Sequence, residues 1–453
     1  MENKETMKSN ASALIPFAVF ILLYLGVGIF LEAKGTEMAF YQFPAPVAII
    51  VGIVVAFIMF KGSINEKFSE FAKGCGNENI LIMCFIYLFA GAFATVASAM
   101  GGVDATVNLG LSLIPAKYIT AGMFIIASFI SVATGTSMGT ISAIAPIAIA
   151  TADKAGLNLT LMVAAIIGGA MFGDNLSVIS DTTIASTRTQ NCELRDKFRV
   201  NLFIALPAAI ITFVILLIFG RPETAVPLGQ LDYNIIKVIP YILVLGLAVA
   251  GLNVFATLGL GIVIAGGIGM AYGDLNILTF AQQIYEGFTG MNEIFLLSMF
   301  TGGLAHMVTK NGGLQWILEK IQTFIKGEKS AEIGISAIAA VADMAVANNT
   351  VAIIITGPIA KEISKKYKVD PRRSASLLDI WTCVLQGFIP YGAQILLAGS
   401  LTAGAVSPLD LFPFLWYQQL LAVFTILSIF VPYANGILKR RPWNWETDSV
   451  EKA

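Results

Sequence analysis

Apolar stretches of about 20 residues, the length that crosses a bilayer, follow one another along the chain with short polar joints between them. The pattern predicts spans at 12–31, 44–60, 79–99 and 200–219. The intervening 61–73 is polar and predicts a loop or a helix lying on a surface. The segment 117–151 is apolar but interrupted at Thr134, Gly135, Thr136 and Ser137. Each half is short for a crossing, which predicts a re-entrant hairpin with a polar tip. The next stretch, 160–187, holds the run from Gly168 to Thr183, in which glycines precede two carboxylates, an amide and several hydroxyls. Irregular backbone at membrane depth is tolerated only where it is buried in protein or lines a cavity, so this stretch predicts a broken helix around a site.

The pattern then recurs. Phe89 to Val96 with Gly101 and Gly102 matches Phe300 to Met307 with Gly312 and Gly313. The tip at Thr136 to Met138 matches Asn348 to Thr350, and Pro146 matches Pro358, 212 residues on. At that offset Asp174 falls on Gln386, and the broken helix falls on 374–400. Basic loops, which mark the cytoplasmic side, are 61–73 and 188–199 in the first copy, and 317–329 and 361–373 in the second. The equivalents of each pair in the other copy hold one Lys or none, so equivalent loops are expected on opposite sides. The expected fold is an all-α polytopic membrane protein of two inverted-topology repeats, each of about five transmembrane helices plus a re-entrant hairpin and a broken helix. The expected division is a cytoplasmic tail 1–11, repeat one 12–220, an extracytoplasmic linker 221–232, repeat two 233–435 and a cytoplasmic tail 436–453. Both termini are expected in the cytoplasm, with the whole in the plasma membrane.

Composition agrees and excludes several functions. Of 453 residues 57% are hydrophobic and 13% charged, against about 25% charged in soluble domains. The net charge of −1 gives no sign of a nucleic-acid partner. Cys75, Cys84, Cys192 and Cys383 lack metal-site spacing, and with His306 as the single histidine they argue against zinc. The absence of a GxxxxGK[ST] motif argues against ATP-driven pumping. An enzyme is not expected.

Chemistry concentrates at four breaks. The first hairpin tip offers Thr134, Thr136, Ser137 and Thr140; these hydroxyls either ligate a small cation or bond their own helix carbonyls. The first broken helix offers Asp174, Asn175, Ser177, Ser180, Asp181, Thr182 and Thr183. Intramembrane carboxylates are costly, which marks Asp174 and Asp181 as candidate Na+ ligands; Asp181 alternatively caps a half-helix. The second tip offers Asp343, Asn348, Asn349 and Thr350, and the second broken helix Asp379, Thr382, Gln386, Tyr391 and Gln394, with Trp381 nearby. Asp343 and Asp379 read equally as structural partners of the opposite repeat. His306 either relays protons or is a packed, hydrogen-bonded histidine. No Lys or Arg is expected deep in the apolar segments, and an acidic midplane favours a cation.

The run Phe172-Gly173-Asp174-Asn175-x-Ser177-x-Ile179-Ser180-Asp181-Thr182-Thr183, with Gly135 to Thr140 before it, resembles the NhaC-type Na+/H+ antiporter family within the wider ion transporter superfamily. Proline is usual in the family where this chain has Val178, and histidine frequent where it has Asn175. The resemblance implies paired hairpins and broken helices and Na+/H+ antiport, in which carboxylates bind Na+ or H+ alternately. A second reading is Na+-coupled transport of a small organic solute, an amino acid or a hydroxy acid such as malate or lactate, in the amide-rich pocket of Asn348, Asn349, Gln386 and Gln394. The expected partners are Na+, H+, the lipid bilayer, an organic solute under the second reading, and a second copy of the chain as a homodimer. No cofactor is expected beyond Na+ as the coupling or transported ion.

Overall fold

The structure, a computed structural model, describes all residues except 1–8, 35, 37–41, 114, 178–179, 223–230, 251 and 446–453. Val178, most of the expected linker and the outer parts of both expected tails lie outside the described residues, as does the side chain of Thr134.

Every regular element described is a helix. The first half runs α1 (Ile15–Ala33), α2 (Ala45–Met59), α3 (Ile64–Cys75), α4 (Glu78–Ala99), α5 (Gly102–Leu113), α6 (Ile119–Thr134), α7 (Ser137–Ala155), α8 (Leu159–Leu176), α9 (Asp181–Gln190) and α10 (Leu194–Phe219). The second runs α11 (Ile235–Val249), α12 (Val254–Tyr272), α13 (Ile277–Gly290), α14 (Asn292–Lys310), α15 (Gly313–Gln322), α16 (Glu328–Val346), α17 (Asn349–Tyr367), α18 (Pro371–Gln386), α19 (Ala393–Leu401) and α20 (Trp416–Phe430), with a short α21 (Gly436–Arg440) after it.

Packing is reciprocal between the halves. α3 packs on α14 while α13 packs on α4, and α9 packs on α17 while α19 packs on α7. The reciprocity reaches single glycines. A Cβ on Gly74 of α3 would stand 2.4 Å from the carbonyl oxygen of Gly302 on α14, and one on Gly91 of α4 would stand 2.3 Å from that of Gly287 on α13. The bare backbone lets the helices touch, as is common between membrane helices.

The expected spans appear as α1, α2 and α4, and 61–73 contains the surface helix α3, capped by Ser63 and Glu66 in a capping box. Four expectations need correction. The loops drawn at 105–117 and 317–329 contain α5 and α15. The basic loop 188–199 is largely the start of α10, and Arg372 and Arg373 open α18. Both helices begin before their hydrophobic run, with charged side chains such as Lys197 and Arg373 buried in the overhang, and the sequence pattern reads that overhang as loop. Among the described residues, five stretches are long and apolar enough to cross a membrane, and a sixth, Gly102–Leu113 with Ala116–Val132, is bent by 97°. The count is below ten because Ala45–Met59, Ile235–Val244 and Trp416–Phe430 are apolar but shorter, and interior helices such as α14 and α18 carry charged residues, among them Glu293, Lys310 and Asp379. Around them, large apolar side chains such as Leu22, Ile58 and Val263 face outward, as a lipid-contacting belt requires.

Replacing Gly91 or Gly74 by Ala forces a Cβ into opposing backbone, and overpacking of this kind costs about 1–3 kcal/mol. Thermal unfolding in detergent should therefore show a clear drop for Gly91→Ala and Gly74→Ala and none for Gly26→Ala, whose Cβ would meet nothing within 4 Å. Equal melting points for all three would refute the close helix crossings.

Candidate functional site

The four breaks meet. α6 and α7 part at Gly135, whose φ of +70° needs a residue without a side-chain penalty. α16 and α17 part at Ala347, also left-handed, with φ +52°. α8 stops at Leu176 and α9 resumes at Asp181; α18 stops at Gln386 and α19 resumes at Ala393. One hydrogen-bond chain joins all four. Ser137 donates to Asp174 Oδ2 at 3.0 Å and accepts from Gln394 Nε2 at 3.0 Å. Gln386 Nε2 donates to Gln394 Oε1 at 3.0 Å and leans toward Ala347 O at 3.4 Å.

Asp174 is held by hydroxyls on both carboxylate oxygens. Its Oδ1 accepts from Ser180 at 2.6 Å, and Ser180 lies 2.8 Å from the Thr182 hydroxyl. Since the single Ser180 hydrogen is committed to Asp174, Thr182 donates to Ser180. Asp174 sits in the last turn of α8, where the helix dipole already carries partial negative charge. The arrangement gathers a buried carboxylate, three hydroxyls and a helix C-terminus, a set of hard oxygen donors suited to a small cation.

The second cluster centres on a residue the sequence reading missed. Lys197 of α10 is buried and reaches Asp379 at 2.7 Å, Thr183 Oγ1 at 2.6 Å and Asn175 O at 3.2 Å. Asn201, one turn on, donates to Asn175 O and Oδ1, each at 3.1 Å, and to Asp379 at 2.8 Å. The freed carbonyl at the end of α8 is thereby satisfied. The expectation of no deep Lys or Arg is wrong: α10 begins three residues before Lys197, so this side chain points inward from a helix. Arg373 is buried too, bound to Glu332 at 2.9 Å and to Ser428. A cation on a predicted helix face opposite lipid, one turn before an apolar run, was the signal available for Lys197.

The other expected residues divide. Thr136 and Asn348 are the N-caps of α7 and α17, accepting from Gly139 N and Val351 N. Asn349 accepts from the adjacent Thr350 N, and both are half-buried at the tip. Ser177 is buried in the first break. Tyr391 donates to Met344 O at 2.8 Å, and Thr382 bonds carbonyls of its own helix. Thr140 does likewise, to Thr136 O. Asp343 is fully buried, and neither carboxylate oxygen has a hydrogen-bond partner. Asp181 does not join Asp174 in a buried pair: it is exposed at the first residue of α9, where a carboxylate favours the helix N-terminus. The break turns it away from the face that an intact helix would share with Asp174. His306 is a hydrogen-bonded histidine, 3.1 Å from Glu70 of α3. Bonds from Lys73, Lys310 and His306 hold the Glu70 carboxyl down at about 2, so His306 faces a permanent anion.

Two cavities lie beside equivalent stretches of α4 and α14. One, of about 740 Å³, is lined by Ala94, Thr95, Ser98 and Asp153. The other, of about 100 Å³, is lined by Ala305, His306, Thr309 and Asn348. Ala94, Thr95 and Ser98 correspond to Ala305, His306 and Thr309, but the other walls differ: the larger cavity runs along α7 toward Asp153, the smaller toward the tip at Asn348.

Removing one partner of a buried ion pair strands the other, at about 3–5 kcal/mol. Lys197→Met and Asp379→Leu should each lower the melting temperature sharply in detergent, and the double variant should recover most of the loss. A double variant as unstable as the sum of the singles would show that the pair is not coupled.

The sequence model of the Na+/H+ antiporter family matches residues 1–221 and 224–432. The chain is 25% identical over 436 residues to the malate-2H(+)/Na(+)-lactate antiporter of Bacillus subtilis, covering 89% of this chain and 92% of that one. It is 25% identical over 377 residues to the Na(+)/H(+) antiporter NhaC of Alkalihalophilus pseudofirmus, covering 76% and 80%. Among solved structures, the YdaH transporter of Alcanivorax borkumensis aligns over 93% of this chain and 98% of that one, at 12% identity and a TM-score of 0.40, too loosely to carry residue roles across. With a family match running through both halves, this multi-pass membrane protein belongs to the Na+/H+ antiporter family.

Proposed function

We propose that the protein exchanges Na+ for H+ by alternating access, with Asp174 as the carboxylate for which the two ions compete. The observation that carries this is a buried acid at a half-helix C-terminus, ringed by Ser137, Ser180 and Thr182. Both the helix dipole and burial disfavour a bare anion there. A bound cation or proton removes that cost, and one site can then hold either ion but not both. Na+ would be held by Asp174 with these hydroxyls, while Asp181, exposed at the neighbouring helix start, would attract the ion on its way in. No other cofactor is called for.

Reciprocal packing of the halves supports two repeats of 12–220 and 233–435, and the alternation of basic loops supports their inversion, both termini in the cytoplasm and a plasma-membrane address. Transporter sites lie between such repeats, which rock about them. The difference in volume between the cavities beside α4 and α14 fits a state open further on one side than on the other.

A second reading, Na+-coupled movement of a small organic acid, is favoured by one observation. The amide of Gln394 reaches Ser137 directly, and that of Gln386 reaches it through Gln394, and a relative carries the name of a malate and lactate exchanger. Lys197 adds a buried cation, but Asp379 already neutralises it, so the uncompensated charge at the centre is negative.

In proteoliposomes with a luminal pH dye, a Na+ pulse should move protons without any organic solute. Asp174→Asn should abolish this movement. A hydrogen bond to a charged group contributes about 1.5–3 kcal/mol, so Ser180→Ala should shift the apparent Na+ affinity by at least tenfold. Undiminished flux in Asp174→Asn would remove Asp174 from the site, and Na+-dependent lactate or malate uptake with no solute-free proton flux would favour the second reading.

A further inference from the structure

Asp343 is the carboxylate that neither the hydrogen-bond chain nor the ion pair uses. It lies in the last turn of α16, with no exposed surface. Both side-chain oxygens lack a hydrogen-bond partner. The buried acids Asp174 and Asp379 are provided for by hydroxyls, an amide or a lysine. A carboxylate anion without donors in such a place is very costly, and the dipole of α16 adds to the cost. A protonated carboxyl removes the charge. It also gains a donor, and Gln386 Oε1, beside the hinge at Ala347, is a buried acceptor with no partner.

The charges around Asp343 leave it alone. Lys197 and Arg373 are bound by Asp379 and Glu332. His306 of α14 is bound to Glu70. From α18 and the break after it come Cys383 and Tyr391, and from α20 only Tyr417, all neutral as thiol or phenol. The charged residues of α15 and α17, among them Lys320 and Lys361, are exposed. No cluster of hydroxyls surrounds Asp343 as it does Asp174: its position at the second tip is equivalent to Ser131 in the first half, and that of Asp174 to Gln386 in the second. Each half thus supplies one such acid, at non-equivalent places and with unlike surroundings.

We propose that Asp343 is a proton-only site, separate from the cation site at Asp174, so that each turnover carries a proton on the second half in addition to the ion exchanged on the first. This rests on the Na+/H+ reading above. The route to the site is the narrow cavity that Val346 and Asn348 line beside it.

Two measurements in proteoliposomes separate the roles. Exchange of labelled Na+ for Na+ at equal concentrations and equal pH needs only the cation site. The ratio of protons to Na+, read from the reversal point of opposed Na+ and pH gradients, counts the proton sites. Asp343→Asn should keep Na+/Na+ exchange within about twofold and lower the ratio by one proton, and Asp343→Glu should restore it. Loss of Na+/Na+ exchange in Asp343→Asn with rescue by Glu, or an unchanged ratio, overturns the proposal while leaving antiport standing. A wild-type protein that exchanges Na+ but moves no proton instead sinks the antiport reading. Should the Asn variant fail to assemble, the wild type decides the matter. Dicyclohexylcarbodiimide attacks protonated carboxyls in apolar surroundings; its adduct on Asp343, read by peptide mass, should form equally with and without saturating Na+, whereas that on Asp174 should be suppressed. Na+ protection of Asp343 equal to that of Asp174 overturns the proposal.

Discussion

Lys197 and Asp379 form a buried ion pair on which the broken geometry rests. A helix interrupted in an apolar surrounding frees carbonyls that water cannot reach. At the end of α8 the freed oxygen is that of Asn175, and it is met by the ammonium of Lys197 and the amide of Asn201. Lys197 in turn would be an intolerable buried charge without Asp379. The pair also spans the two halves, since α10 closes the first and α18 belongs to the second. One interaction thus satisfies the break, neutralises a lysine and fixes α18 against the interrupted helix.

With that charge balanced internally, the remaining charge has a different meaning. Among the described residues Asp174 and Asp343 have no cationic partner, and both lie in last turns of helices where the dipole opposes them. An acid kept in such a position is kept for something that arrives and leaves. Hydroxyls bond the Asp174 carboxylate, whereas the Asp343 carboxylate has no hydrogen-bond partner; the proposed cation and proton roles rest on that contrast. A difference in neighbours, with the same functional group, separates the two roles.

The halves repeat their helices but not their chemistry. Gly74 on Gly302 and Gly91 on Gly287 are the same crossing made twice, because scaffold contacts must match if two halves are to rock about a shared centre. At the centre the equivalent positions diverge: Asp174 is answered by Gln386, and Asp343 by Ser131. The amide at Gln386 then completes the hydrogen-bond chain through Gln394 to Ser137. The frame thus repeats while the side chains at its centre do not.

Much was determined by the sequence alone. Apolar length fixed the spans, glycine and hydroxyl clusters located the breaks near 135 and 177, and the recurrence 212 residues on located their partners. Asp174 was legible because a carboxylate in such a run is too costly to be incidental. The overhang of α10 was not legible, since a helix that outlasts its hydrophobic run looks like a basic loop, and Lys197 was lost with it. The separation of Asp174 from Asp181 was not legible either: seven residues make a shared face only on an intact helix, and across the break Asp181 is exposed. Sequence periodicity reports what lies along one helix, whereas the partner of a buried charge lies across the bundle. Which buried acids are paired and which are not was therefore decided only by the tertiary structure, which brings residues 178 apart, Asn201 and Asp379, within 2.8 Å.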